Sequence, residues 1–193
     1  MQIANLSELC LKIQDGTHFS PKTTQGPFRY LTSKNIRDGF IDLTNCGYIS
    51  AEEHKDIYRR ADVRLGDIVI TKDGVNTGNC TLFDLNEEVS LLSSIAFIRT
   101  NPDKLDARYL LAYLQSSSGY SQIRRLIKGT AITRITLEQI RKIPVPVFEV
   151  SIQRKASEHI RQFVDLKSAI NLEHERLFTS LKLLLQIIFG DVE

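Results

Sequence analysis

Residues 151–189 read SIQRKASEHIRQFVDLKSAINLEHERLFTSLKLLLQIIF, without a glycine or a proline. Phe163, Ile170, Leu177 and Leu184 recur every seven residues. Ile160, Leu181 and Ile188 fall on a second seven-residue register, whose intervening positions are Lys167 and His174. This spacing predicts a heptad seam on a helix of roughly 58 Å, at about 1.5 Å per residue. One helix cannot bury such a seam against itself, so the segment is expected to pair with another helix. A second copy of the chain would serve, and so would a partner protein. Lys167 and His174 would make some registers costly; His174 also reads as a solvent-facing residue in a different register. Ser151 is the expected N-cap and Gly190 the expected stop.

The residues before this segment predict an α+β head, a mixed β-sheet and helix domain over 1–150 followed by one long coiled-coil helix over 151–193. Residues 3–13 alternate loosely between apolar and polar and end at the turn signal Asp15-Gly16. Residues 17–27 are a polar loop with Pro21, Gly26 and Pro27. Strands are expected at 28–32, 40–43, 67–72, 80–83 and 94–100. Ser50 and Glu53 form a capping-box pattern that starts a short helix at Ala51. Further helices are expected over 107–115, 120–126 and 136–142, the last with Glu138 in its first turn. Pro144 and Pro146 then force an extended exit.

Composition narrows the class. The chain has 193 residues, 42% hydrophobic and 25% charged, which is globular rather than disordered. A formal net charge of +2 does not announce a polyanion partner, so any such surface must come from local clustering. Cys10, Cys46 and Cys80 are far apart and odd in number, which predicts reduced thiols and no zinc site. No apolar run is long enough to span a bilayer and no leader pattern opens the chain, so a soluble, cytoplasmic protein is expected.

Reactive groups are sparse. The sequence carries no GxxxxGK[ST] phosphate loop and no GxSxG nucleophile turn. Asn101-Pro102-Asp103 lacks the second proline and the aromatic of an amino-methyltransferase loop. Asp42 with Glu53-His54-Lys55 could be read as an Mg²⁺ nuclease pattern. The capping role of Glu53 argues against it. The expectation is a chain with no catalytic residues, no metal and no cofactor.

The order of the remaining motifs resembles the target recognition domains of type I restriction-modification specificity subunits. Ile13-Gln14-Asp15-Gly16-Thr17-His18 is similar to their opening. Leu31-x-x-x-Asn35-Ile36-x-x-Gly39, Arg64-Leu65-Gly66-Asp67-Ile68-Val69 and Thr71-Lys72-x-Gly74 follow in the family's order. Ile143-Pro144-Val145-Pro146, with Gln153 opening a long helix, and the tail Gln186-Ile187-Ile188-Phe189-Gly190 complete the resemblance. Family members usually carry two recognition domains and two long helices. This chain has one of each, begins with Met and ends in a family-like tail, so the expectation is a natural half-subunit. The resemblance implies a non-catalytic reader of double-stranded DNA. It would recognise one half of a bipartite target and direct a separate DNA methyltransferase, and possibly a restriction-translocase subunit, to it. A homodimer through the C-terminal helix would restore the full arrangement, its seam made of Ile160, Phe163, Lys167, Ile170, His174, Leu177, Leu181, Leu184 and Ile188. A coiled-coil adaptor whose head binds protein is the reading from a different class.

Candidate DNA-binding residues cluster in expected loops. Lys22, Thr23 and Arg29 flank the first. Lys72, Asn76 and Thr77 belong to the second, whose glycines allow close backbone approach. Arg124, Arg125, Lys128, Thr130, Thr133 and Arg134 surround the third. Lys and Arg contact phosphates, while Arg, Asn and Thr can read base edges. A solvated helix face is the competing reading of Arg124 and Arg125, turn bracing that of His18. Asp15-Gly16 is read as turn chemistry without a ligand role.

Overall fold

The computed structural model describes residues 2–129, 133–162, 176–177 and 180–181. Strand β1 (Gln2–Asn5) runs into a single helical turn, α1 (Leu6–Leu9), and then β2 (Cys10–Asp15). The loose alternation over 3–13 is therefore broken, because Leu6 and Leu9 point together into the core from one turn of helix. Past the first loop come β3 (Phe28–Leu31), the short hairpin β4 (Ile36–Arg37) and β5 (Phe40–Ile41), β6 (Gly47–Ile49) and α2 (Ala51–Tyr58). Strands β7 (Ile68–Thr71), β8 (Cys80–Leu82), β9 (Val89–Leu91) and β10 (Ile95–Thr100) lead to α3 (Ala107–Gln115) and α4 (Ser117–Leu126). Helix α5 (Leu137–Arg141), β11 (Pro144–Val147) and α6 (150–162) close the described order.

An antiparallel sheet in the order β2-β10-β7-β8 is the wall on which the domain is built. Its two central strands alternate between two cores. Ile68, Ile70, Ala96 and Ile98 face a cluster with Leu110, Leu114, Ile123 and Ile140 of α3, α4 and α5. Val69, Ile95 and Phe97 face a second cluster with Leu31, Val89 and Leu91 of the sheet β6-β3-β9. A strand covered on both faces reads as a continuous apolar run, which is why Ile68-Val69-Ile70 stands out in the sequence. Strands β3 and β9 pair in parallel, with Tyr30 opposite Ser90.

The turn before β7 is fixed by charge. Gly66 adopts φ +89, a conformation that favours glycine, and its N–H donates to Phe83 O at 2.8 Å. Asp67 accepts from Arg64 N at 2.9 Å and from Arg99 Nε and Nη2 at 3.0 and 2.8 Å. Arg99 also reaches Asp62, as does Lys12. Burial pushes the Asp62 carboxyl up, but the hydrogen bond from Lys12 and the Arg99 charge outweigh it and hold it at about 2.

Several sequence expectations shift. Helix α2 starts at Ala51 with Ser50 Oγ accepting from Glu53 N at 3.3 Å, but the Glu53 carboxylate turns away to the first loop. Helix α4 starts three residues earlier than expected, because Ser116 caps it through Gly119 N. Thr136 and Gln139 on α5 do form a reciprocal capping box. Val150 is already helical, and Ile152 and Gln153 donate to Glu149 O, so Ser151 is not the cap. Pro144 and Pro146 do lie in an extended strand, β11, which among the described residues pairs only with β1; a two-stranded ribbon leaves each strand an edge that tolerates missing N–H groups.

Gln153 is fully buried. Its Oε1 accepts from Asp106 N at 2.9 Å, and its Nε2 donates to Lys104 O and Phe148 O at 3.0 and 2.8 Å. It thereby ties the start of α6 to the turn that opens α3. The chain divides into two units, Met1–Arg154 and Lys155–Glu193. Of the expected seam, Ile160, Leu177 and Leu181 are described and lie exposed at 37%, 63% and 51%. Phe163, Lys167, Ile170, His174, Leu184 and Ile188 lie outside the described residues, as does Gly190. No helix among the described residues is long and apolar enough to cross a membrane.

Candidate nucleic-acid interface

Asp15 ends β2 at the origin of the first loop, 2% exposed. Its carboxylate takes Lys72 Nζ at 2.6 Å and Arg60 Nη2 at 2.6 Å, with Gln14 Nε2 at 3.1 Å and His18 Nε2 at 3.6 Å. Lys72 also donates to Ser93 O at 3.1 Å. Asp15 is more than turn chemistry: it is an ionic hub joining β2, the segment after α2, and the end of β7. Gly16 has a separate reason. A Cβ there would lie 1.9 Å from Leu91 O, so only glycine lets the chain cross β9 this closely. Thr17 N then donates to Leu91 O at 2.8 Å and Ser93 N to Thr17 O at 2.8 Å.

Loops 73–79 and 127–135, far apart in sequence, meet beside this hub. Gly74 N donates to Thr133 O at 3.0 Å, and Ile135 N to Lys72 O at 2.9 Å. The hydroxyls of Thr77 and Thr133 both donate to Gly74 O at 2.6 Å. Asp73 and Arg134 form an ion pair across the junction. Lys128 and Arg134 exchange backbone hydrogen bonds at 3.0 and 2.9 Å. Lys128 itself is exposed, and Asn76 is half-buried with its carbonyl accepting from Asn79 N. Thr130 lies outside the described residues.

Helix α4 ends just before Lys128. Arg124 and Arg125 are exposed on its last turn, with the Arg124 guanidinium 5.9 Å from the centre of the Tyr120 ring. Neither they nor Lys128 make an ion pair among the described residues. The structure thus brings Lys72, Asn76, Thr77, Arg124, Arg125, Lys128, Thr133 and Arg134 to one region, with Lys72 buried beneath it rather than on its surface.

Lys22, Thr23 and Arg29 are held elsewhere. Glu53 accepts from Lys22 N at 2.6 Å, from Thr23 N at 3.1 Å and from the Thr23 hydroxyl. These hydrogen bonds, the one from the Thr23 hydroxyl foremost, lower the Glu53 pKa. Thr23 Oγ1 accepts in turn from Ser50 N at 2.9 Å. Arg29 pairs with Glu87 and lies 5.9 Å from the Tyr48 ring. Lys22 keeps an exposed side chain. Glu53 is therefore occupied in folding the first loop, and Asp42 in holding Thr44 N and Arg37. Burial raises the thiol pKa of Cys10 to about 12, and it raises those of Cys46 and Cys80 too, so none is a ready thiolate.

Sequence reasoning did not single out Asp73, Glu138 and Lys142 as neighbours of Arg134. His18, Lys72, Asp73 and Arg134 line one cleft, and Lys128, Arg134, Glu138 and Lys142 line the next. Their separation along the chain hides this, because only the closure of loop 127–135 onto loop 73–79 assembles it.

A family model described as "Type I restriction modification DNA specificity domain" matches residues 1–176. Comparison with curated proteins finds no match. Among solved structures, a chain from work on complex assembly and conformational transition of the type I R-M system superposes with a TM-score of 0.70 at 21% identity, covering 97% of this chain and 44% of that one. The HsdS subunit from Thermoanaerobacter tengcongensis gives 0.61 at 15% identity, covering 99% and 49%. The type I restriction-modification S subunit from M. genitalium gives 0.54 at 16%, covering 90% and 42%. At these identities the likeness is one of fold, and the chain spans less than half the length of each.

Proposed function

The chain belongs to the type I restriction-modification DNA specificity family, and from that premise we propose that it reads one half-site of a bipartite duplex target and does no chemistry itself. It directs a separate DNA methyltransferase to that target in the cytoplasm, together with a restriction-translocase subunit where one is present. The observation that carries this reading is the meeting of loops 73–79 and 127–135 beside the basic end of α4. Arg124, Arg125, Lys128 and Arg134 supply phosphate contacts, and Asn76 with Thr130 and Thr133 supplies groups able to read base edges. Lys72 acts from beneath: its ammonium holds Asp15 and Ser93, and its carbonyl holds Ile135. Lys22 gives a second, separate contact, on a loop that Thr23 and Arg29 keep in shape.

The full chain should retain a duplex containing its target. Changing Arg124, Arg125 and Lys128 together to alanine should weaken that binding by about tenfold or more. The salt slope should fall by about one for every phosphate that is no longer neutralised. Equal affinity and slope, with the fold intact, would take α4 out of the interface.

Residues 1–150 act as the recognition domain and 151–193 as the pairing helix. Two copies then give a two-fold reader, with antiparallel helices burying the seam, and the target is a split palindrome. The exposure of Ile160, Leu177 and Leu181 supports this pairing. Sedimentation should give a dimer that Leu177→Asp with Leu181→Asp dissociates; a monomer at tens of micromolar, or a dimer indifferent to both changes, would refute it.

A further inference from the structure

The clefts on either side of Arg134 form one groove. The first, about 340 Å³, runs from His18 past Asp15 and Asp73; the second, about 400 Å³, continues to Lys128 and Lys142. Arg134, Thr136 and Glu138 line both. The groove is rich in cations, yet most are already matched. Arg134 is paired with Asp73, Lys142 with Glu138 at 2.6 Å, and Lys72 with Asp15 at 2.6 Å.

These pairs do little for the fold. Arg134 and Lys142 are each 67% exposed and Glu138 75%. Ion pairs this open contribute almost nothing to stability and break readily. Asp73, by contrast, is 19% exposed and fixed by the backbone bridge between the two loops, so the Arg134 pair is held in place rather than formed by chance.

We propose that this groove is a track for one phosphodiester strand, in which Asp73 and Glu138 are replaceable internal counterions of Arg134 and Lys142. This rests on the DNA-reading function and adds to it a source of specificity. A phosphate entering the groove displaces each carboxylate, which must then be hydrated and gather a cation from solution. Generic DNA gains little from that exchange. A target whose bases also engage loops 73–79 and 127–135 offsets it. The two acids thereby lower non-specific affinity and widen the gap between target and random sequence.

The test uses the full chain and a mixed-sequence duplex, with affinity measured as a function of salt. Asp73→Asn and Glu138→Gln should each raise affinity by about three- to tenfold at low salt and steepen the salt slope by up to about one. In an Arg134→Gln background the Asp73→Asn gain should shrink to the through-space gain of removing one unpaired carboxylate, because there is then no arginine to release. A gain of undiminished size there is a general charge effect and overturns the proposal. Wild-type binding with affinity and slope unchanged in both variants overturns it while leaving DNA reading intact. No duplex binding by any form, target included, would instead remove the function on which it rests. Thermal unfolding checks that Asp73→Asn leaves the loops folded; Glu138, solvent-facing on α5, gives the same reading without touching them.

Discussion

Asp15→Ala should lower the unfolding free energy by about 3–5 kcal/mol, measured by urea denaturation. The mutation removes a carboxylate that is 2% exposed and leaves Lys72, itself 7% exposed, with an uncompensated charge inside the domain. The cost lies in that stranded ammonium more than in the missing attraction. Asp15→Ala with Lys72→Met should therefore recover most of the loss, since an apolar side chain of similar length needs no partner. DNA binding should be impaired in the single mutant even at temperatures where it stays folded. Lys72 would keep only the Ser93 carbonyl, and the strand end that leads into loop 73–79 and holds Ile135 would lose its ionic anchor. A single mutant within about 1 kcal/mol of wild type would show that water reaches Lys72 and that Asp15 is not a hub.

Gln153→Ala should cost about 3 kcal/mol or more. Its amide satisfies Asp106 N, Lys104 O and Phe148 O, and each buried group left unpaired costs roughly 1–3 kcal/mol, less than additively. Gln153→Glu separates packing from hydrogen bonding. The shape is kept, but a carboxylate cannot donate to the two carbonyls, so this variant should be at least as unstable as the alanine. If Gln153→Glu kept wild-type stability, the amide network would not be what fixes the start of α6.

Gln153 shows how much of this molecule the sequence carries. Its place after Ile143-Pro144-Val145-Pro146 was recognisable as a pattern, but its purpose was not, since its partners lie at 104, 106 and 148. The strands around Ile68-Val69-Ile70 and Ile95-Ala96-Phe97-Ile98 were legible because both faces are covered and the apolar run is unbroken. Strands β6 and β9 were not: Gly47-Tyr48-Ile49 and Val89-Ser90-Leu91 are three residues each, and unlike the equally short β8 neither follows a glycine-rich turn out of a strand already legible. The basic loops were visible as clusters. Which of their charges face solvent depended on long-range partners: Asp15 claims Lys72 from 57 positions away, Glu53 claims Thr23, and Glu87 claims Arg29. The meeting of loops 73–79 and 127–135 depends on Thr77 and Thr133 sharing Gly74 O, a geometry that spacing does not encode.

The central claim is that this chain supplies sequence choice to a separate methyltransferase. The direct measurement is a map of methylated sites on DNA incubated with S-adenosylmethionine and that methyltransferase, with and without the chain. The expected result is methylation confined to one split palindrome when the wild-type chain is present, and none from either protein alone. The same methylation pattern with the chain omitted, or methyl transfer by the chain on its own, would contradict the account.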